Sequence, residues 1–112
     1  YRQGLGDCFL LTFRAHDDTP RYVMIDCGIL QQSPSERDRM RQVLESIHRA
    51  TGGRVHVLVA THEHWDHVCG FHHGQDLYSD LNVDEVWLAW TEDPDDEQAK
   101  ELQETYERSL TA

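Results

Sequence analysis

An apolar run, Val55-His56-Val57-Leu58-Val59-Ala60, ends abruptly in Thr61-His62-Glu63-His64-Trp65-Asp66-His67, with Gly70 close behind. The run reads as a buried strand. A strand of this kind needs cover on both faces, which directs the chain toward a layered α/β unit. The stretch that follows packs three imidazoles and two carboxylates into six positions, His62 to His67. The strand fixes the backbone, while the loop lets neighbouring side chains converge on one point instead of alternating between faces.

The remaining segments supply the layers. Gly4-Leu5-Gly6-Asp7 is a turn leading into a strand, Cys8 to Arg14. His16 to Pro20 reads as a hairpin loop and Arg21 to Asp26 as the returning strand, with Cys27-Gly28 as its exit. No helix pattern follows Gly4-x-Gly6, so a dinucleotide-binding reading lacks its required context. Asp26 reads equally as an acid that orients a neighbouring loop or binds metal and as a solvated turn residue. Ser33-Pro34-Ser35-Glu36 is a helix start with Pro34 at the first helical position and Glu36 closing a capping box. Met40, Val43, Leu44 and Ile47 form its apolar stripe, and Gly52-Gly53 ends it. Arg37, Arg39, Arg41 and Arg49 alternate with Glu36, Asp38 and Glu45, the pattern of a solvated face.

After the histidine-rich loop, the spacing predicts a short helix over His67 to Tyr78, its length made uncertain by Gly74. A strand follows over Val83 to Trp90. Thr91-Glu92-Asp93-Pro94 then caps a final helix with Asp95, Asp96 and Glu97 in its first turn, where the helix dipole favours them. Leu102, Tyr106 and Leu110 with Ala99 give it only a thin stripe, which predicts a surface position. The order is strand, strand, helix, strand, helix, strand, helix. Three short helices leave part of the sheet without cover.

At 112 residues the chain is one domain or a piece of one. Ten Lys plus Arg against 21 Asp plus Glu give a net charge of −11, which argues against broad attraction to nucleic-acid backbones. A phosphate substrate stays open, because bound divalent cations reverse the field locally. The three cysteines, Cys8, Cys27 and Cys69, follow no CxxC spacing, so neither a disulfide framework nor a thiolate zinc site is indicated. A reducing, cytoplasmic setting is expected. No window approaches the roughly 18 apolar residues of a membrane span. The first residue is Tyr1 and not Met, and we expect the sequence to be part of a longer protein.

Neutral imidazole and carboxylate suit zinc and, less selectively, manganese or iron. His62 and His64, two apart in extended backbone, point to the same side and can bind one ion. Asp66 and His67 are adjacent and are expected to diverge, which suits a second ion. A dinuclear site with ions about 3.5–4 Å apart lowers the pKa of a shared water to about 7, and hydrolysis follows. Glu63 and Trp65 are expected to point away from the metals. His16, His48, His56, His72 and His73 are read as surface or packing residues.

Thr61 to His67 with Gly70 resembles the HxHxDH signature of the metallo-β-lactamase superfamily. Gly4-x-Gly6-Asp7 and Ile25-Asp26-Cys27-Gly28 are similar to the opening of the hydrolase domain of DNA-internalisation competence proteins. The likeness spans roughly residues 1 to 90. It implies that His62 and His64 hold the first metal and Asp66 and His67 the second. By the same likeness Asp66 also handles a proton in catalysis, and Asp26 supports the metal loop. The implied fold for residues 1–112 is one partial domain, the first half of a four-layer αββα sandwich with a mixed sheet. The family's remaining ligands lie downstream, and no His follows His73, so a second half-domain is expected to complete the site. The implied function is a metal-dependent hydrolase using water activated by two zinc ions, on a small-molecule or nucleic-acid-derived substrate. Phosphodiesters are favoured over thioesters or lactam-like amides. The alternative is a non-catalytic metal-binding or interaction module on a degenerate hydrolase fold.

Overall fold

Four strands share one sheet: β1 (Phe9–Arg14), β2 (Pro20–Ile25), β3 (Arg54–Ala60) and β4 (Asn82–Leu88), side by side in sequence order. The computed structural model from which they are read describes residues 1–30 and 33–110, the side chains of His73 and Leu77 excepted. The packing role expected of His73 therefore lies outside what is described. β1 and β2 form an antiparallel hairpin, while β2, β3 and β4 run parallel. Parallel neighbours need crossovers, and helices supply them. α1 (Pro34–Thr51) links β2 to β3, and α2 (Trp65–His73) with α3 (Gln75–Tyr78) links β3 to β4.

α1 forms as its sequence dictates. The Glu36 carboxylate accepts the Ser33 backbone N–H at 3.1 Å, Pro34 opens the first turn, and Gly52 ends the helix at φ 63. Its stripe of Met40, Val43, Leu44 and Ile47 is buried. The single helix expected over His67 to Tyr78 is instead two, broken at Gly74. A Cβ at Gly74 would run into the Leu44 side chain, so the break lets the crossover press against α1.

The register sorts the sheet into two faces, because paired residues on neighbouring strands point the same way. Leu10, Met24 and Leu58 pair across three strands on the helix side, where Met24 is buried and the other two pack against the core. Phe9, Ile25, Val59 and Trp87 pair across all four strands on the opposite side. Leu11, Val23 and Val57 form the next row of that face. There Phe9 is 49% exposed, Leu11 40%, Phe13 53% and Trp87 55%. One face is thus covered by helices and the other carries apolar rows in contact with solvent, the arrangement expected of one αβ half of a sandwich.

The C-terminal region departs from expectation in its capping. Trp90–Glu92 forms a turn of 3₁₀ helix, and α4 (Glu97–Leu110) starts later than Thr91 to Pro94 suggested. Asp93 accepts the Asp95 N–H at 2.9 Å, holding a turn, and Asp96 accepts the Ala99 N–H at 2.8 Å as the working cap. Ala99 is the buried residue of α4. As expected, the helix is a surface element, tied to the turn before it by Gln103 Nε2 donating to Thr91 O at 2.6 Å.

Candidate metal centre

The parallel pairing of Ile25 with Val59 brings the C-terminal ends of β2 and β3 together, the usual location for sites in α/β sheets. Asp26 continues the ladder with its N–H on Val59 O at 2.9 Å, then turns into the left-handed region at φ 52. That conformation is uncommon for a residue with a side chain, although Asp tolerates it. It turns the carboxylate toward the loop. Thr61 N donates to Asp26 Oδ1 at 2.8 Å, Thr61 Oγ1 donates to Oδ2 at 2.6 Å, and His67 Nδ1 lies 2.9 Å from the same Oδ2. Of the two readings open for Asp26, the buried orienting acid is the one present.

These bonds fix protons. A carboxylate only accepts, so His67 donates through Nδ1, and in the neutral imidazole that tautomer leaves the Nε2 lone pair free. The Thr61 hydroxyl has one proton and gives it to Asp26; at 2.9 Å it can then only accept from His62 Nδ1. His62 thereby also donates through Nδ1, which in its neutral form leaves Nε2 free. One carboxylate sets the tautomers of two imidazoles, the pattern found behind histidine ligands in metal sites. Burial raises the Asp26 pKa, but bonds from Thr61 and His67 outweigh it and hold the carboxyl below its ordinary 3.8.

The three imidazoles of the loop cluster. The His62 ring centroid is 4.6 Å from that of His64 and 3.9 Å from that of His67. Asp66 Oδ2 lies 3.5 Å from His67 Nε2, so these neighbours converge where divergence was expected. The physical reason is that the backbone is already helical from Trp65. Helical side chains tilt toward the N-terminus, and both therefore lean over the loop. Away from the cluster, His56 Nδ1 accepts the Tyr22 N–H at 3.0 Å at the start of the β2–β3 ladder, a structural role.

A second acid joins from the N-terminal turn. Asp7 Oδ2 stands 3.6 Å from His67 Nδ1. Asp7, Asp26 and His67 form, among the described residues, a group that could hold a metal ion, with ligand atoms within 4.8 Å of one another. Sequence reasoning placed Asp7 in a turn and gave it no role at the site. The signal was there in an acid immediately after Gly4-x-Gly6 and before a strand.

Glycines let these segments approach. Asp7 N donates to Asp66 O at 3.2 Å, Gly28 N to Asp7 O at 3.0 Å, Cys27 N to His67 O at 2.7 Å and Gly70 N to Cys27 O at 2.8 Å. A Cβ at Gly6 would sit 2.6 Å from Gly28 O and 2.7 Å from Asp66 O, one at Gly28 would overlap the Asp66 carbonyl, and one at Gly70 would sit 2.5 Å from Cys27 Sγ. The turn, the exit of β2 and the first two turns of α2 are therefore held backbone to backbone. Beneath them Cys8, Cys27 and Cys69 are buried and free.

A family model, that of the metallo-beta-lactamase superfamily, matches residues 2–102. The match carries no finer likeness to the competence proteins. Neither a curated protein nor a solved structure matches the chain.

Proposed function

The chain belongs to the metallo-beta-lactamase superfamily, and on that premise we propose that it is the metal-binding half of a dinuclear hydrolase. The observation that carries the reading is Asp26, which fixes the proton on Nδ1 of both His62, through Thr61, and His67. Two imidazoles are left with free Nε2 lone pairs beside His64 and the Asp66 carboxylate. This donor set suits zinc, and also manganese or iron. His62 and His64 would hold the first ion, and Asp66 and His67 the second.

Bound divalent ions supply Lewis acidity and bring the pKa of a water to about 7. The protein's own part is positional. Asp26 holds the Nδ1 protons in place, Thr61 relays that constraint to His62, and Asp66 offers a carboxylate oxygen that can take up a proton during hydrolysis. A phosphodiester is the bond class we propose, since its single anionic charge suits two cations set into an otherwise acidic chain. The bare apolar face of the sheet is read as the seat of a second αβ layer, which would complete the ligand set. The three free thiols agree with a reducing compartment. Among the described residues no helix is long and apolar enough to cross a membrane.

A second reading has its own support. The Asp7, Asp26 and His67 group could take a single ion, giving a binding module without hydrolysis. It would require His67 to give up its Nδ1 proton, and the bond to Asp26 opposes that. Metal analysis of the full-length protein separates the two. About two zinc or manganese ions per chain, with metal-dependent cleavage of bis(4-nitrophenyl) phosphate lost in Asp66→Ala, is the expected result. One ion retained by Asp66→Ala but lost by Asp7→Asn, with no cleavage by wild type, would establish the module instead.

A further inference from the structure

Three cavities open beside the histidine-rich loop, and all three are bounded by Glu63 and Glu92. The first, of about 280 Å³, lies between His62, His64 and the Leu102 and Tyr106 side chains of α4. The second, of about 430 Å³, continues along α4 past Glu107 and Leu110, so a third carboxylate bounds its far end. The third, of about 220 Å³, runs under the loop against Val68 and Leu88. Together they form a groove that begins at the imidazoles and leads away over apolar surface.

Its charge is one-sided. No Lys or Arg of the described residues lines any of the three cavities. Glu92 meets the Thr91 hydroxyl at 3.3 Å, and neither it nor Glu63 forms an ion pair among the described residues. Leu102 is 47% exposed and Tyr106 56%, so these side chains are not committed to the core. A groove with an apolar and aromatic wall and two unpaired carboxylates repels a second anionic group. It attracts an ammonium carried on an apolar arm, with Tyr106 available as a cation–π partner.

We infer that Glu63 and Glu92 determine specificity, and that the groove takes the substrate arm beyond the scissile bond, preferring an aryl- or alkylammonium group over a neutral or anionic one. The location of the reacting bond rests on the hydrolase reading, while occupancy of the groove does not. Two measurements on the full-length protein keep the two apart.

The first is binding of tyramine against 4-ethylphenol, followed by calorimetric titration. Tyramine is expected to bind about tenfold more tightly, with the ratio falling to about twofold in the E63Q/E92Q double variant. Equal affinities in the wild type, or a ratio that survives both substitutions, would overturn the inference. Both positions are exposed, and circular dichroism of the variant checks that its fold is intact. The second measurement is kcat/KM for 4-nitrophenyl phosphodiesters whose other arm is 2-aminoethyl or ethyl. Cleavage without discrimination refutes the groove alone, and absent cleavage with intact discrimination in binding refutes the hydrolase alone.

Discussion

Asp26 Oδ2 stands 2.9 Å from His67 Nδ1 across 41 positions of sequence, and this contact decides which nitrogen of His67 faces Asp66. Removing the carboxylate frees the ring to rotate or change tautomer. Asp26→Ala is expected to weaken metal binding about 10–100-fold. It also leaves the Thr61 N–H without its acceptor, at a cost of about 1–3 kcal/mol in stability. Competition against a chromophoric chelator measures the first effect and urea unfolding the second. Wild-type metal affinity in this variant would remove Asp26 from the site.

The glycines at the centre should differ sharply from those at its edge. Gly28→Ala places a methyl on the Asp66 carbonyl, and we expect about 3 kcal/mol of destabilisation with loss of metal binding. Gly52 has φ 63 but nothing within 4 Å of an added Cβ. Gly52→Ala is therefore expected to cost only the backbone strain, about 1 kcal/mol. Urea midpoints for the two variants compare them directly, and similar losses at both sites would contradict the close approach at Gly28.

Tyr78 gives the fold an alkaline limit. Its burial, helped by the nearby thiols, pushes the phenol well above its ordinary 10.0, so the folded state holds it neutral. The sign follows from linkage. The contribution is complete below pH 10, and it is lost as pH rises further, because the unfolded phenol ionises where the folded one does not. Comparing urea stabilities at about pH 8 and about pH 11, Tyr78→Phe should lose less than wild type by about 1 kcal/mol. Identical pH dependence in both proteins would show that the phenol is not held neutral by the fold.

The bare sheet face should be measurable in residues 1–112 expressed alone. Phe9, Leu11, Phe13 and Trp87 present apolar surface large enough to bind a hydrophobic dye or to drive self-association. Phe13→Lys with Trp87→Lys is expected to lower dye fluorescence at least about twofold without loss of helix signal. Unchanged fluorescence would mean that the dye binds elsewhere, for instance along α4.

Much of this was legible in the sequence because it is local. The capping box at Ser33, the stripe from Met40 to Ile47 and the stop at Gly52 are written within single turns of helix. The apolar run before Thr61 likewise announced β3. What could not be read is set by distant pairing. Asp26 was equally a turn residue or an orienting acid until the parallel register placed Ile25 beside Val59. Asp7 gained its place only through backbone bonds to Asp66 and Gly28. The convergence of Asp66 with His67 depended on where α2 begins, and the late start of α4 on which of several aspartates wins the cap. Element ends are where side chains compete with the backbone, and the composition of such a segment does not name the winner.

The donors of the histidine-rich loop are neighbours in the chain, whereas the acid that aligns them arrives from far away in sequence. A denatured molecule therefore still carries most of the donor set on one short flexible segment, lacking only its alignment. If the loop holds the ions as proposed, metal binds that segment in the denatured chain too, and added zinc should then raise the unfolding midpoint by less than the affinity of the native centre alone would give. Asp26→Ala lowers native affinity toward that of the denatured chain, and it should reduce the response further.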